Sequence, residues 1–225
     1  MRRAPLPDFR LPSASERASV FGRTGSGKTV FMIWLLSMAS IDARPWIIVD
    51  HKNDGYLAKL PRVENIKMGT LPRHPGLYRI VPKFDQPDEL DKYYHRILSK
   101  GNVGIFSDEG ASNPQREPRY VGLKALFAQG RSKRTPVLFG SQRPSWINMS
   151  ILAESDYFAA FHLQHADDRD RVLKFMPREA EKRLDTYHSH WYDVKQDAYF
   201  QIAPVNEADA LDRIERRLRP RQSLI

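Results

Sequence analysis

Residues 17–39 read RASVF, then GRTGSGKT, then VFMIWLLSMA: a short strand candidate, a glycine-rich turn and an apolar run of helical length. The turn, residues 22–29, fits G-x-x-x-x-G-K-[ST], the phosphate-binding P-loop. Glycine opens backbone conformations closed to other residues, so Gly22, Gly25 and Gly27 let the chain coil tightly around Arg23, Thr24 and Ser26. The successive N–H groups from Gly22 to Thr29 then turn inward as an anion nest. The helix expected over Lys28–Ala39 adds its positive N-terminal end. Lys28 is expected to reach the β- and γ-phosphates of ATP, and the Thr29 hydroxyl to ligate Mg²⁺.

Outward from this turn, apolar runs alternate with helical patterns. PWIIVD at 45–50 reads as a buried parallel strand ending in an acid. LYRIV at 77–81, NVGIFSDEG at 102–110, TPVLFGSQ at 135–142 and YFAAFHL at 157–163 are further strands. Helices are expected over 87–100, 120–133, 167–176 and 206–218. HSHWYDV and DAYFQIAPV alternate and predict a C-terminal hairpin. Strands alternating with helices imply an α/β fold, a mostly parallel central sheet covered on both faces. Three prolines mark residues 1–15 as an arm, and 16–225 read as a single domain.

Two more segments carry chemistry. VGIFSDEG is an apolar strand ending in Asp108, the Walker B pattern, in which the acid holds Mg²⁺ through water. Glu109 follows directly and is placed to deprotonate an attacking water. Nucleotide kinases and small GTPases generally lack an acid there, so the pair favours an ATP hydrolase over a phosphoryl transferase. In GRSKRTPVLFGSQRP, residues 130–144, Gln142 ends a strand 34 residues after Asp108. An amide there can donate to the γ-phosphate and hold the water; it can also be a simple strand cap.

Composition sets the outer limits. The 225 residues include no cysteine, which excludes disulfides, thiolate zinc sites and cysteine nucleophiles. The longest near-apolar stretch, Val30–Ile41, is shorter than the ~20 residues of a membrane span, and the basic N-terminus lacks the apolar core of a signal peptide. HLQH at 162–165 and HSH at 188–190 lack metalloprotease spacing and a third ligand. The net charge is +9, which suggests a polyanionic partner. Between Ala111 and Ser150 there are seven cations and one acid, Glu117. Arg116, Arg119, Lys133 and Arg134 are the candidate DNA contacts, on the expectation that this charge lies beside the catalytic strand ends and grips phosphate without reading sequence.

GRTGSGKT, Val49-Asp50-His51-Lys52, FSDE at 106–109, and the glycine-arginine pair of Gly130–Arg131 before QRP at 142–144 occur in that order. Together they resemble the HerA/FtsK superfamily of DNA-pumping P-loop ATPases. With no membrane anchor or accessory domain in view, the chain looks most like the genome-packaging ATPases of membrane-containing icosahedral viruses, the tectivirus-like phages and their archaeal relatives. The resemblance implies a RecA-like fold of the ASCE type, with the Gln142 strand between the Walker A and Walker B strands. It implies a homo-oligomeric ring, often a hexamer, with ATP at subunit interfaces and double-stranded DNA in the pore. Gln142 would be the sensor and Arg131 the finger acting on a neighbour's nucleotide, with Arg134 and Arg143 as competitors. Capsid or portal-vertex proteins would be partners, in host cytoplasm or at a virion's packaging vertex. Other readings stay open: a related motor for conjugation, partition or filamentous-phage export, a small-molecule kinase, or a nucleotide-gated scaffold.

Overall fold

The computed structural model describes residues 8–53, 55–83, 86–109 and 121–219. In chain order the first half runs β1 (Arg17–Phe21), α1 (Lys28–Met38), β2 (Pro45–Asp50), β3 (Val63–Asn65), β4 (Gly76–Ile80), α2 (Pro87–Lys100) and β5 (Gly104–Asp108). The second half runs α3 (Val121–Gln129), β6 (Val137–Ser141), α4 (Met149–Ala153), β7 (Tyr157–Ala160), α5 (Ala166–Leu173), β8 (Ser189–Asp193), β9 (Ala198–Ile202) and α6 (Glu207–Leu218).

One nine-stranded sheet takes the order β3-β4-β2-β5-β6-β1-β7-β8-β9. Its first seven strands are parallel, and β8 and β9 close it as an antiparallel hairpin. The Gln142 strand, β6, does lie between β5 and β1. RASVF is a modest apolar run, yet all five of its residues are buried because β6 and β7 flank it on both sides.

Alternation along each strand feeds two layers, as a pleated backbone requires. Ala18, Val20, Ile48, Phe106 and Leu138 face α1 and α6, while Ile47, Val49, Ile105, Val137 and Phe139 face the layer of α2 and α3. Helix α1 has no side-chain N-cap. Its hold comes instead from Phe31, Met32, Ile33, Leu35 and Leu36, all almost fully buried, each contributing about 1.5–3 kcal/mol. At its far end, Arg213 donates to Ser37 Oγ at 3.0 Å, and Arg217 donates to the Ser37 carbonyl at 2.9 Å and pairs with Asp42. The basic run of α6 therefore fastens the helix to the body of the protein. Helix α2 begins with Pro87 and an acidic first turn and stops at Gly101, as capping rules require. Its buried face is Leu90, Tyr93, Tyr94, Ile97 and Leu98.

Several boundaries differ from the sequence expectation. Helix α3 stops at Gln129 rather than Lys133, because Gly130 turns the chain, accepting from the Thr135 amide at 2.9 Å. Tyr120 lies outside the described residues. Strand β7 ends at Ala160, after which the chain follows the P-loop, with Arg23 N donating to the His162 carbonyl at 3.3 Å. The three-residue edge strand β3 and the short α4 were not anticipated. Residues 8–15 lie back on the sheet: the Phe9 ring meets Phe200 edge-on at 5.4 Å, and Asp8 accepts from Gln196 at 3.1 Å. No helix among the described residues is long and apolar enough to cross a membrane.

Candidate active site

The site forms where β1, β5 and β6 end on the same edge of the sheet. Gly22 N donates to the Ser141 carbonyl at 3.2 Å, stitching the first glycine of the P-loop to the end of β6. Ser26 N donates to the Arg23 carbonyl at 3.2 Å and closes the turn. Gly25 and Gly27 have φ of 75° and 95°, a left-handed backbone that an L side chain adopts only at a cost. Residues 22–29 thus form a tight turn leading into α1. Ser26 Oγ is buried with no hydrogen-bond partner among the described residues, an orphan that a phosphate oxygen would satisfy.

Lys28 and Thr29 converge on Asp108. The Lys28 ammonium pairs with Asp108 Oδ1, and Thr29 Oγ1 donates to Oδ2 at 2.6 Å. Burial raises the proton affinity of Asp108, but the charge and hydrogen bond of Lys28, the Thr29 hydroxyl and the charge of Lys52 outweigh it and hold the carboxyl below its ordinary range. One hydroxyl and one carboxylate side by side are hard oxygen donors, the set Mg²⁺ takes when substrate phosphates complete its shell. No group of three or more His, Cys, Asp or Glu that could hold a metal occurs among the described residues. The donor set therefore fits a nucleotide-completed ion rather than an all-protein metal cage.

Glu109 adopts φ of 70°, and its carboxylate lies beside Lys28 of the P-loop. Its Oε1 accepts from the Gln142 amide at 3.3 Å. Its Oε2 lies 4.0 Å from Lys28 Nζ and 3.2 Å from Lys52 Nζ, an ion-pair distance without hydrogen-bond alignment. The Gln142 side chain accepts from Thr24 Oγ1 at 2.7 Å. Gln142 thus ties the acid to the phosphate loop through its backbone and its side chain at once. A cleft of about 240 Å³ opens beside it, lined by Arg23, Thr24, Arg143, His165 and Asp168.

Beneath the site, Asp50 is almost fully buried at the end of β2. Its Oδ2 accepts from Arg79 at 2.7 and 2.9 Å, and the guanidinium also reaches Asn53 and Asn65. His51 Nε2 sits 3.3 Å from Ser107 Oγ. Burial lowers its pKa to about 4, against the pull of Asp108, Glu109 and Asp50. Sequence reading took Asp50 as the acid ending a buried strand and quoted it with Lys52 in a resemblance; it did not anticipate that Asp50 pairs with Arg79 or that Lys52 faces Glu109.

The three candidate fingers part company. Arg143 is held within its own chain: Nε donates to Asp168 Oδ2 at 2.8 Å, and the guanidinium lies 4.6 Å from the Trp146 ring centre. Asp168, fully buried, also accepts from Ser145 N and Oγ. Arg131 and Arg134 lie at the start of β6, the opposite end of the sheet from Gln142. Arg131 is exposed and paired with Asp156 there, so it cannot reach the nucleotide site of its own chain. Lys133 shares this turn, its carbonyl accepting from Asn102 N at 2.8 Å. The expectation that this basic segment flanks the catalytic strand ends is therefore corrected for Arg131, Lys133 and Arg134, because β6 runs the full height of the sheet between them and the site. Arg116 and Arg119 lie outside the described residues. The histidines of HSH are occupied separately, His188 against the Thr186 carbonyl and His190 between Tyr199 and the Lys182 carbonyl.

A glycine-rich phosphate loop, an acid pair two strands away and a polar-ended strand between the two define a P-loop ATPase of the RecA-like, inserted-strand type. The chain is 34% identical over 214 residues to the DNA packaging ATPase P9 of Enterobacteria phage PRD1, covering 90% of this chain and 93% of that one. It belongs to this family of viral DNA-packaging ATPases. No protein-family model matches the chain. Among solved structures, the genome packaging NTPase B204 from Sulfolobus turreted icosahedral virus 2, in complex with AMPPCP, superposes with a TM-score of 0.65 at 15% identity, covering 86% of this chain and all of that one. The pCW3 conjugation coupling protein TcpA, with ATPγS, gives 0.53 at 15% identity, covering 88% of this chain and 64% of that one. At these identities the likeness is one of fold.

Proposed function

We propose that the chain hydrolyses ATP to ADP and phosphate with Mg²⁺ and uses the energy to drive double-stranded DNA into a preformed viral capsid. One observation carries the reading: Lys28 and Thr29 meet Asp108 at the open end of the cradle, while Glu109, tied to Gln142, extends over the same point.

The amides of Gly22–Thr29 bind the phosphates, and Lys28 leaves Asp108 for their terminal oxygens. Thr29 and Asp108 would hold the Mg²⁺, which would supply charge neutralisation for the bound phosphates. Glu109 takes a proton from a water whose oxygen attacks the γ-phosphorus. The bond from that phosphorus to the bridging oxygen breaks, and its electron pair leaves with ADP. The Gln142 amide group holds the water and senses the γ-phosphate. Arg131, unable to act in its own chain, serves the neighbour in a homo-oligomeric ring, and its pairing with Asp156 gives way as the interface closes. Arg116 and Arg119 contact DNA phosphates. The motor works in host cytoplasm or at a packaging vertex, against capsid or portal proteins.

The decisive experiment measures ATP turnover with and without duplex DNA across protein concentration, for wild type and Glu109→Gln. Turnover should rise with DNA and with concentration, and Glu109→Gln should lower it at least ~10²-fold. Turnover that appears only with a small-molecule acceptor, and is indifferent to DNA, would refute the motor and favour a kinase.

A further inference from the structure

The mechanism above leaves Tyr187 unused, and its setting is unusual. It stands two residues before β8 with φ of 64°. Bulky side chains rarely adopt this conformation, and it persists only where the surroundings hold it. The turn that holds it is closed by His188 N donating to the Asp185 carbonyl at 3.1 Å. Tyr187 is 55% exposed as a residue, level with Val121, the most exposed of the large apolar residues described. It has no ring partner or hydrogen-bond partner among the described residues.

The ring rests on the phosphate loop. A methyl built on Gly27 would lie 3.2 Å from Tyr187 Cδ1 and 3.7 Å from its Cβ. Any side chain at position 27 would push the tyrosine away. Gly27 is therefore required twice, once for its own left-handed backbone and once to let the ring approach. Phe161 supports the same spot from below, 3.6 Å from that methyl position, and is itself packed edge-on against Phe31 of α1 at 5.6 Å. An exposed aromatic ring is thus fixed within van der Waals reach of the loop that binds the triphosphate, on the side of the hairpin strands.

We propose that Tyr187 is the platform on which the base of the bound nucleotide stacks. The inference rests on the nucleotide site proposed above and adds how that site treats the nucleoside end. Stacking on a tyrosine uses the flat face that every base has, so it favours nucleoside triphosphates over bare polyphosphate without choosing among purines. Chemistry at the γ-phosphate lies at the far end of the ligand. Tyr187 therefore sets affinity and leaves the rate at saturation alone.

The test compares Mg²⁺ complexes of ATP, GTP and inorganic tripolyphosphate on wild type, Tyr187→Ala, Tyr187→Phe and Lys28→Ala. Losing a base–aromatic stack weakens binding about five- to 150-fold. Tyr187→Ala should raise KM for ATP and GTP by similar factors within that range, hold kcat, and leave inhibition by tripolyphosphate unchanged. Tyr187→Phe should match wild type. Tyr187→Trp adds a direct signal: its fluorescence should be quenched by ATP and not by tripolyphosphate. Equal weakening of ATP and tripolyphosphate would show that the ring only props Gly27, and unchanged ATP binding would show no contact; either overturns the stack. ATP binding indifferent to Lys28→Ala would instead remove the phosphate-loop reading, and the stack with it.

Discussion

Gly140, next to last in β6, is the glycine whose replacement separates stability from catalysis. Its backbone is not in the left-handed region, so Gly140→Ala acts through space alone. The added methyl would lie 2.5 Å from Met32 Sδ, 3.0 Å from Asp108 Oδ1 and 3.2 Å from Lys28 Nζ. Carbon contacts settle near ~3.5–4.0 Å, so the overlap is about 1 Å against Met32 and about half that against the acid. Met32 is fully buried in the α1 layer, and moving its thioether is overpacking, worth about 1–3 kcal/mol. For a chain of this size that lowers Tm by about 2–12 °C. The catalytic consequence is larger in proportion. Asp108 belongs to the ladder of β5 and yields only by turning its carboxylate; a 1 Å misplacement of a positioned group costs about 10²-fold in rate, so the ~0.5 Å demanded here sets the low end near tenfold. Turnover should thus fall about 10- to 100-fold at temperatures where the variant is fully folded, as followed by phosphate release alongside circular dichroism. A variant that loses several degrees of Tm yet hydrolyses ATP at the wild-type rate would show that Met32 absorbs the methyl and that β6 does not support the Lys28–Asp108 pair.

Asp50→Ala should cost about 3–5 kcal/mol, because it strands a buried arginine. The double variant Asp50→Ala with Arg79→Leu should recover part of that in a denaturation series, and no recovery would deny the pair. Arg131→Ala subunits mixed with Glu109→Gln subunits should regain some ATPase activity, since each supplies what the other lacks at a shared interface; no regain with mixing verified would argue against action between chains. Burial holds His190 below its ordinary pKa against the favourable carbonyl of Lys182, so it folds neutral. Its contribution is fully present above the unfolded value of about 6.5 and is lost as pH falls from there toward the lowered folded value. His190→Gln should flatten stability across that window, and an unchanged slope would place the acid sensitivity elsewhere.

The phosphate loop was legible because its physics is local: glycine spacing, a lysine and a hydroxyl specify the turn wherever it occurs. The buried strands were legible for a similar reason, since PWIIVD and GIFSD are mostly apolar and end in acids. Pairing of charges was not. Arg143 finds Asp168, Arg131 finds Asp156 and Lys52 faces Glu109 only once the sheet order is set. Arg134 and Gln142 are eight residues apart in sequence, but a strand rises about 3.3 Å per residue, which puts them at opposite ends of the sheet. Strand β3 has too few residues to show alternation. Tyr187 gave no signal at all, because what singles it out is a backbone angle and a neighbour 160 positions away.

Helix α1 is a rod of about 16 Å by the usual rise per residue, and both of its tips are spoken for. One tip carries the amides of the anion cradle; the other is gripped by Arg213 and Arg217 of α6. A tilt imposed at the cradle must therefore swing the last helix as well, like a see-saw whose far arm is α6. A fluorescent label on α6 would register events at the phosphates without touching them.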